Sequence, residues 1–150
     1  DDYLYFFENV AHTDNKEWDR CYCVNFCSDN NLEIAELLRD ADIRRKYAIK
    51  YVNENIIQGY LAYYEGQVVG WCNINDKKDC LGCFGWQIIS GKTKVTEEKV
   101  KVKSVFCFTV APAMRGKHIA TSLLQQAIDD ARKDGYDYIE SYPKKTEKNI

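Results

Sequence analysis

The sequence predicts a mixed α/β domain, and three observations carry that prediction. A β-branched and aromatic run at residues 104–110 leads through a Gly-containing basic turn into an amphipathic helical pattern. A hairpin pattern precedes it, with apolar runs at residues 57–64 and 68–74 flanking Glu65, Gly66 and Gln67. The chain of 150 residues has the length of one domain, taken as residues 1–150.

The elements follow in order. Tyr3, Leu4, Tyr5, Phe6 and Phe7 make an apolar start, either a strand or a buried arm. Residues 18–27 are aromatic and β-branched enough to read as a strand. Residues 28–31 supply a turn with helix N-cap candidates, and residues 32–39 read as a helix. A second helix at residues 41–53 sets Ile43, Tyr47 and Tyr51 on one face. After the hairpin, residues 75–102 mix Cys80 and Cys83, an apolar stretch and a polar Lys/Glu-rich stretch, and read as an insertion or mobile loop with a short helix. The strand at 104–110 stops at Ala111 and Pro112. The helix of residues 117–134 then places Ile119, Ala120, Leu123, Leu124, Ala127, Ile128 and Ala131 on one face, with Gly135 as its C-cap residue. A last strand at 136–142 is closed by Pro143, and no internal repeat is present.

Composition narrows the function. The 21 basic and 23 acidic residues leave a net charge of −2, which argues against a general nucleic-acid binder. No apolar run approaches the length of a membrane span, so a membrane partner is not expected either. Seven cysteines, an odd count with no secretory signal visible, read as reduced thiols in a cytoplasmic protein. Cys21, Cys23 and Cys27 with Cys80 and Cys83 offer thiolates for zinc. Their spacing lacks the further ligands of a zinc ribbon, so no metal is expected. Cys72 and Cys107, inside apolar strands, read as core, and His12 as surface.

The turn after residues 104–110 has its own chemistry. A strand feeding a helix through Arg115, Gly116 and Lys117 points free backbone N–H groups and the positive end of the helix dipole into one turn. Gly116 lets a ligand approach the backbone closely. A phosphate or pyrophosphate is the natural occupant.

The run from Val110 to Leu124 resembles motif A of the GNAT N-acetyltransferase superfamily, a Gln/Arg-x-x-Gly-x-Gly/Ala signature after a strand ending near Val-x-Pro. Val110, Ala111 and Pro112 precede the motif here, and Arg115, Ile119 and Ala120 fall on it. His118 stands where the family has its central Gly. The resemblance implies an α/β fold (an α+β mixed sheet), the GNAT acyl-CoA N-acyltransferase fold. It also implies an acetyl-CoA co-substrate and direct transfer to a primary amine of a small molecule or peptide. By the same resemblance, backbone groups of Phe108, Thr109 and Val110 pair with the pantetheine arm. Backbone N–H groups of Arg115, Gly116, Lys117, His118, Ile119 and Ala120 hold the pyrophosphate, with charge from Arg115 and Lys117.

Glu140, on the next strand, is the candidate general base. Tyr138 and Tyr142 share its face by alternation and are candidates for lining the acceptor pocket. In the family a further helix, carrying a Tyr often used as general acid, and two more strands follow. None of these follows Pro143 here, so the domain is expected to be C-terminally truncated or to have its open strand edge covered by a second copy in a homodimer. Three other readings remain open on the sequence: a GNAT-like protein that binds acyl-CoA without catalysis, a cysteine-based metal or redox module, and a CoA-independent structural domain.

Overall fold

A four-stranded sheet in the order β1-β2-β3-β4 organises the chain. The structure, a computed structural model, describes residues 2–27, 34, 36–83, 85–86 and 98–143. The expected turn at 28–31 and the apolar stretch from Gln87 to Ile89 lie outside them, as do residues 91–97 of the polar stretch at 91–103 and parts of the helix at 32–39.

β1 (Gly59–Tyr64) and β2 (Gln67–Asp76) form the expected hairpin. Glu65 and Gly66 both take positive φ, 49° and 77°, the backbone that matches the twist of a two-residue hairpin loop. β2 pairs antiparallel with β3 (Val102–Val110), and β3 pairs parallel with β4 (Tyr138–Ser141). The β2/β3 register holds one irregularity. Asn73 faces Cys107 and Ile74 faces Val105, so Phe106 is an extra residue, a β-bulge.

The strands β3 and β4 are joined by helix α4 (Ile119–Lys133), whose Leu123 and Ala127 pack on Cys72, Ile74 and Val105. Burying each such aliphatic side chain stabilises the fold by about 1.5–3 kcal/mol. Gly70 makes the close approach possible: a Cβ there would lie 2.9 Å from Ile119 Cγ2 and 3.3 Å from both Ala62 Cβ and Leu123 Cδ1. The helix ends in a Schellman motif. Gly135, at φ 75°, donates to Arg132 O at 3.2 Å, and Tyr136 N–H donates to Ala131 O at 2.9 Å.

The other face of the sheet carries the N-terminal third of the chain. Residues Asp2–Asn9 form a helix, α1, rather than the expected strand or arm. Its buried Tyr3, Phe6 and Phe7 are spaced by three and four, and Tyr3 and Phe7 meet Trp71 edge-on at 5.1 and 6.2 Å. Residues 18–27 are not a strand either. Arg20, Tyr22 and Cys23 take φ of 49°, 51° and 56°, which breaks any extended run into turns, one of them a 3-10 turn at Val24–Phe26. Of the helix expected at 32–39, the described part includes a 3-10 turn at Leu37–Arg39. Helix α2 (Ala41–Asn53) forms as expected, capped by Asp40 Oδ1, which accepts from Asp42 N–H at 2.9 Å and Ile43 N–H at 3.0 Å. Ala48 and Tyr51 of α2 join the aromatic cluster around Trp71. A single helical turn, α3 (Lys77–Cys80), follows β2. No helix among the described residues is long and apolar enough to cross a membrane.

Candidate active site

β3 and β4 run together only from Val102 opposite Tyr138 to Val105 opposite Ser141. At the Phe106 bulge β3 continues to Val110 without β4 beside it. Among the described residues, 107–110 therefore leave one strand edge open over about 13 Å, at the usual rise per residue. That open edge runs directly into the basic turn.

In the turn, Pro112–Met114 form a 3-10 turn tied to β2 by Ala111 N–H donating to Val69 O at 2.8 Å. Gly116 takes φ 75°, and no atom lies within 4 Å of where its Cβ would be. His118 takes φ 62° and serves as the N-cap position of α4 without a side-chain cap. The left-handed conformation at His118 explains why a Gly suits that place: an L side chain there is held in a sparsely populated region. The first α4 bond is Ser122 N–H to His118 O at 3.0 Å. The backbone N–H groups of residues 116–121 find no acceptor among the described residues, and the first turn of α4 holds no acidic side chain. These donors and the positive end of the helix dipole lie together at this one turn. The structure brings Arg115, Gly116, Lys117, His118, Ile119 and Ala120 together at this turn, at the end of the open edge of Phe108, Thr109 and Val110. The Arg115 guanidinium bridges to Asp14, with N–O distances of 2.5 and 3.3 Å. That bridge holds the Asp14 carboxyl below its ordinary range.

A cavity of about 510 Å³ opens beside this edge, between β3 and the N-terminal segment. Cys107, Phe108, Thr109 and Arg115 form one wall, and His12, Asp14, Trp18, Cys21, Cys23 and Phe26 are on the others. Two expectations are corrected here. His12 is half-buried rather than a surface residue, its Nε2 3.4 Å from Cys21 Sγ, and burial lowers its pKa. Cys107 lines the cavity instead of packing wholly in the core. The thiols differ in acidity. Burial pushes Cys21 up to about 12, as it does Cys72, which is core as expected. Cys107 is drawn down to about 7, chiefly by a hydrogen bond from Cys23, and Thr109 Oγ1 at 3.4 Å helps. The same bond, with burial, holds the Cys23 thiol protonated well above its ordinary value. None of the seven cysteines is in a disulfide, and among the described residues no group of three or more His, Cys, Asp or Glu is disposed to hold a metal.

Glu140 lies lower on the sheet, opposite Ser104. Its Oε2 pairs with Lys77 Nζ at 2.8 Å and accepts from Tyr142 OH at 3.1 Å, while Tyr142 OH and Ser104 Oγ share a bond of 2.7 Å. Burial raises the Tyr142 pKa. Tyr142 packs on Phe106 at 5.3 Å, and Phe106 stacks on Phe26 at 5.3 Å, so this aromatic stack stands between Tyr142 and the cavity. Tyr138, at the start of β4, is 63% exposed and lines a separate shallow pocket under the end of α4. The structure thus joins Glu140 to Tyr142 and keeps Tyr138 apart.

The sequence profile of the acetyltransferase (GNAT) family matches residues 16–149. A search of curated proteins finds no match. Among solved structures, the aminoglycoside acetyltransferase AAC(6')-Iy in complex with the bisubstrate analogue CoA-S-monomethyl-acetylneamine matches with a TM-score of 0.52 and 12% identity, over 73% of this chain and 65% of that one. The CoA complex of the same aminoglycoside N-acetyltransferase matches with a TM-score of 0.50 and 12% identity, over 70% and 60%. A transcriptional regulator from Bacillus halodurans C-125 matches with a TM-score of 0.51 and 16% identity, over 87% and 79%. At these identities the likeness is one of fold, and the chain spans 60% and 65% of the length of the two AAC(6')-Iy structures. With the family profile covering most of the sequence, and a mixed sheet that parts at a bulge beside an open helix N-terminus, the chain belongs to the acetyltransferase (GNAT) family.

Proposed function

We propose that the protein is an N-acetyltransferase that moves an acetyl group from acetyl-CoA to a primary amine by direct attack. The observation that carries this reading is the run of unpartnered N–H groups at residues 116–121 at the end of an unpaired strand edge. Acetyl-CoA supplies the activated acetyl group as a thioester. The donors of residues 116–121 suit its pyrophosphate, with added charge from Arg115 and Lys117 and a contact from His118. The open edge at Phe108, Thr109 and Val110 suits the amides of its pantetheine arm, as an added strand would. The amine nitrogen bonds to the carbonyl carbon, the carbon–sulfur bond breaks, and the electron pair leaves on the CoA sulfur. The amine must shed a proton to attack. Glu140 is the carboxylate we assign to that proton, reached from the cavity through water because the Phe106–Phe26 stack stands between them, with Tyr142 as its hydrogen-bond donor and Tyr138 left apart in its own pocket. The cavity lined by Trp18, Asp14 and Cys107 is the proposed entry for the acceptor, and its volume suits a small molecule or the tip of a peptide. The likeness to an aminoglycoside N-acetyltransferase bound to CoA supports an acyl-CoA donor and a small amine acceptor.

Calorimetry with CoA and acetyl-CoA, followed by thiol release against a panel of primary amines, tests the proposal. Binding together with amine-dependent CoA release is expected, and Glu140→Gln is expected to slow release without weakening CoA binding. Binding without release from any amine would favour an acyl-CoA-binding protein that does not catalyse. No binding would overturn the reading.

A further inference from the structure

We propose that Cys107 is itself an acyl acceptor: when no amine occupies the cavity, its thiol takes the acetyl group and holds it as a thioester on β3. This inference rests on the acyl-CoA reading above. Three features of the structure lead to it. Cys107 is the first residue past the bulge, on the stretch of β3 that β4 leaves unpaired. It also lines the cavity, so one side chain stands between the open strand edge and the acceptor space. Finally, it belongs to a cluster. Thr109 Oγ1 lies 3.4 Å from its sulfur, and Cys21, Cys23 and His12 line the same cavity.

The chemistry needs no further reactant. The Cys107 thiolate bonds to the carbonyl carbon of the thioester, the bond from that carbon to the CoA sulfur breaks, and CoA leaves as a thiolate. One thioester replaces another, nothing is oxidised, and excess CoA reverses the step. Attack requires the thiolate form. Its neighbours favour that form at this position: the Cys23 thiol beside it and the Thr109 hydroxyl at 3.4 Å draw the Cys107 thiol below its ordinary value, against the effect of burial. The other groups facing the site oppose or leave that balance unchanged. Cys21 is pushed up to about 12, burial disfavours the cationic form of His12, and Asp14 and Arg115 neutralise each other at the mouth. Across the sheet Cys107 meets Asn73, which carries no charge.

The test mixes the protein with acetyl-CoA and no amine, then reads intact mass and peptide maps after an acid quench. One acetyl group on Cys107 is expected, removed by neutral hydroxylamine and by excess CoA, and missing from Cys107→Ser. Cys23→Ala is expected to acylate more slowly at neutral pH, with the midpoint of its rate–pH profile moved upward from about 7. A protein that binds CoA by calorimetry yet gains no acetyl group overturns the proposal, as does an equal adduct on Cys107→Ser. A CoA-free arm stands apart from the function reading: iodoacetamide is expected to alkylate Cys107 before the other six thiols at neutral pH. Alkylation elsewhere first counts against the thiol; rapid alkylation of Cys107 with no CoA binding counts against the acyl-CoA reading instead.

Discussion

Replacing Gly70 by Ala tests whether the approach of α4 to the sheet sets both stability and the anion site. The new Cβ would lie 2.9 Å from Ile119 Cγ2, closer than side-chain carbons pack, and 3.3 Å from Leu123 Cδ1 and Ala62 Cβ. Ile119 cannot swing away easily, because it is β-branched and half-buried against the sheet. Overpacking of this kind costs about 1–3 kcal/mol. The loss of Gly entropy in the unfolded chain offsets about 0.4–1 kcal/mol of that. The net destabilisation is about 1–2 kcal/mol, a fall in melting temperature of roughly 2–8 °C for a chain of this size. Ile119 is also the first residue of α4, so the helix start shifts with it. A charge-assisted N–H bond contributes about 1.5–3 kcal/mol, so weakening one by half lowers CoA affinity by a factor of about three to ten. Thermal unfolding and CoA calorimetry on the same variant measure both effects. Gly82→Ala, where nothing lies within 4 Å of the new Cβ, is the control and should melt with the parent. A Gly70→Ala protein that melts at or above the parent and binds CoA equally well would refute the reasoning.

Asp14→Asn frees the Arg115 guanidinium and is expected to tighten CoA binding by a factor of about two to five, whereas Arg115→Ala weakens it; calorimetry reads both signs, and movement in one direction would show that Asp14 does not compete with the phosphate. Glu8 accepts from Arg45 at 2.6 Å and Tyr22 at 3.0 Å, and Arg45 holds its carboxyl below the ordinary range. Because the folded pKa is the lower one, the pair contributes fully above the ordinary carboxylate range and is lost as pH falls through the folded value. Glu8→Gln is therefore expected to lower the melting temperature by about 1–3 °C at neutral pH, with the gap closing in acid.

Much of the fold was legible because its signals are local. The three-and-four spacing of Leu123, Ala127 and Ala131 announces a helix that buries those residues, and Glu65 with Gly66 announces the hairpin. The N-terminal third was less legible. Aromatic content in Tyr3, Phe6 and Phe7 suggests a strand, yet their spacing is helical, and packing on Trp71 decides between the two. Nothing local reveals that Arg20, Tyr22 and Cys23 adopt left-handed backbone, since none is Gly and the surrounding core imposes it. The anion turn was readable for the same reason as the helix, its residues being contiguous. The cavity was not, because residues 12–26 meet 107–115 only through the sheet. Cys107 reads as core because it sits inside an apolar strand, and apolar content does not reveal the break in alternation at Phe106.

That break is what the bulge at Phe106 does for the whole site. Side chains on a strand alternate, so one extra residue exchanges the two faces for everything after it. With Phe106 in place, Val105 lies under α4 while Cys107 and Thr109 stand over the cavity. An unbulged strand that kept Phe106 in its ladder would put Cys107 and Thr109 on the same face as Val105, beneath the helix, and turn Phe108 outward in their stead. The site's polarity is in this sense a matter of parity, set by the one residue that the ladder does not count.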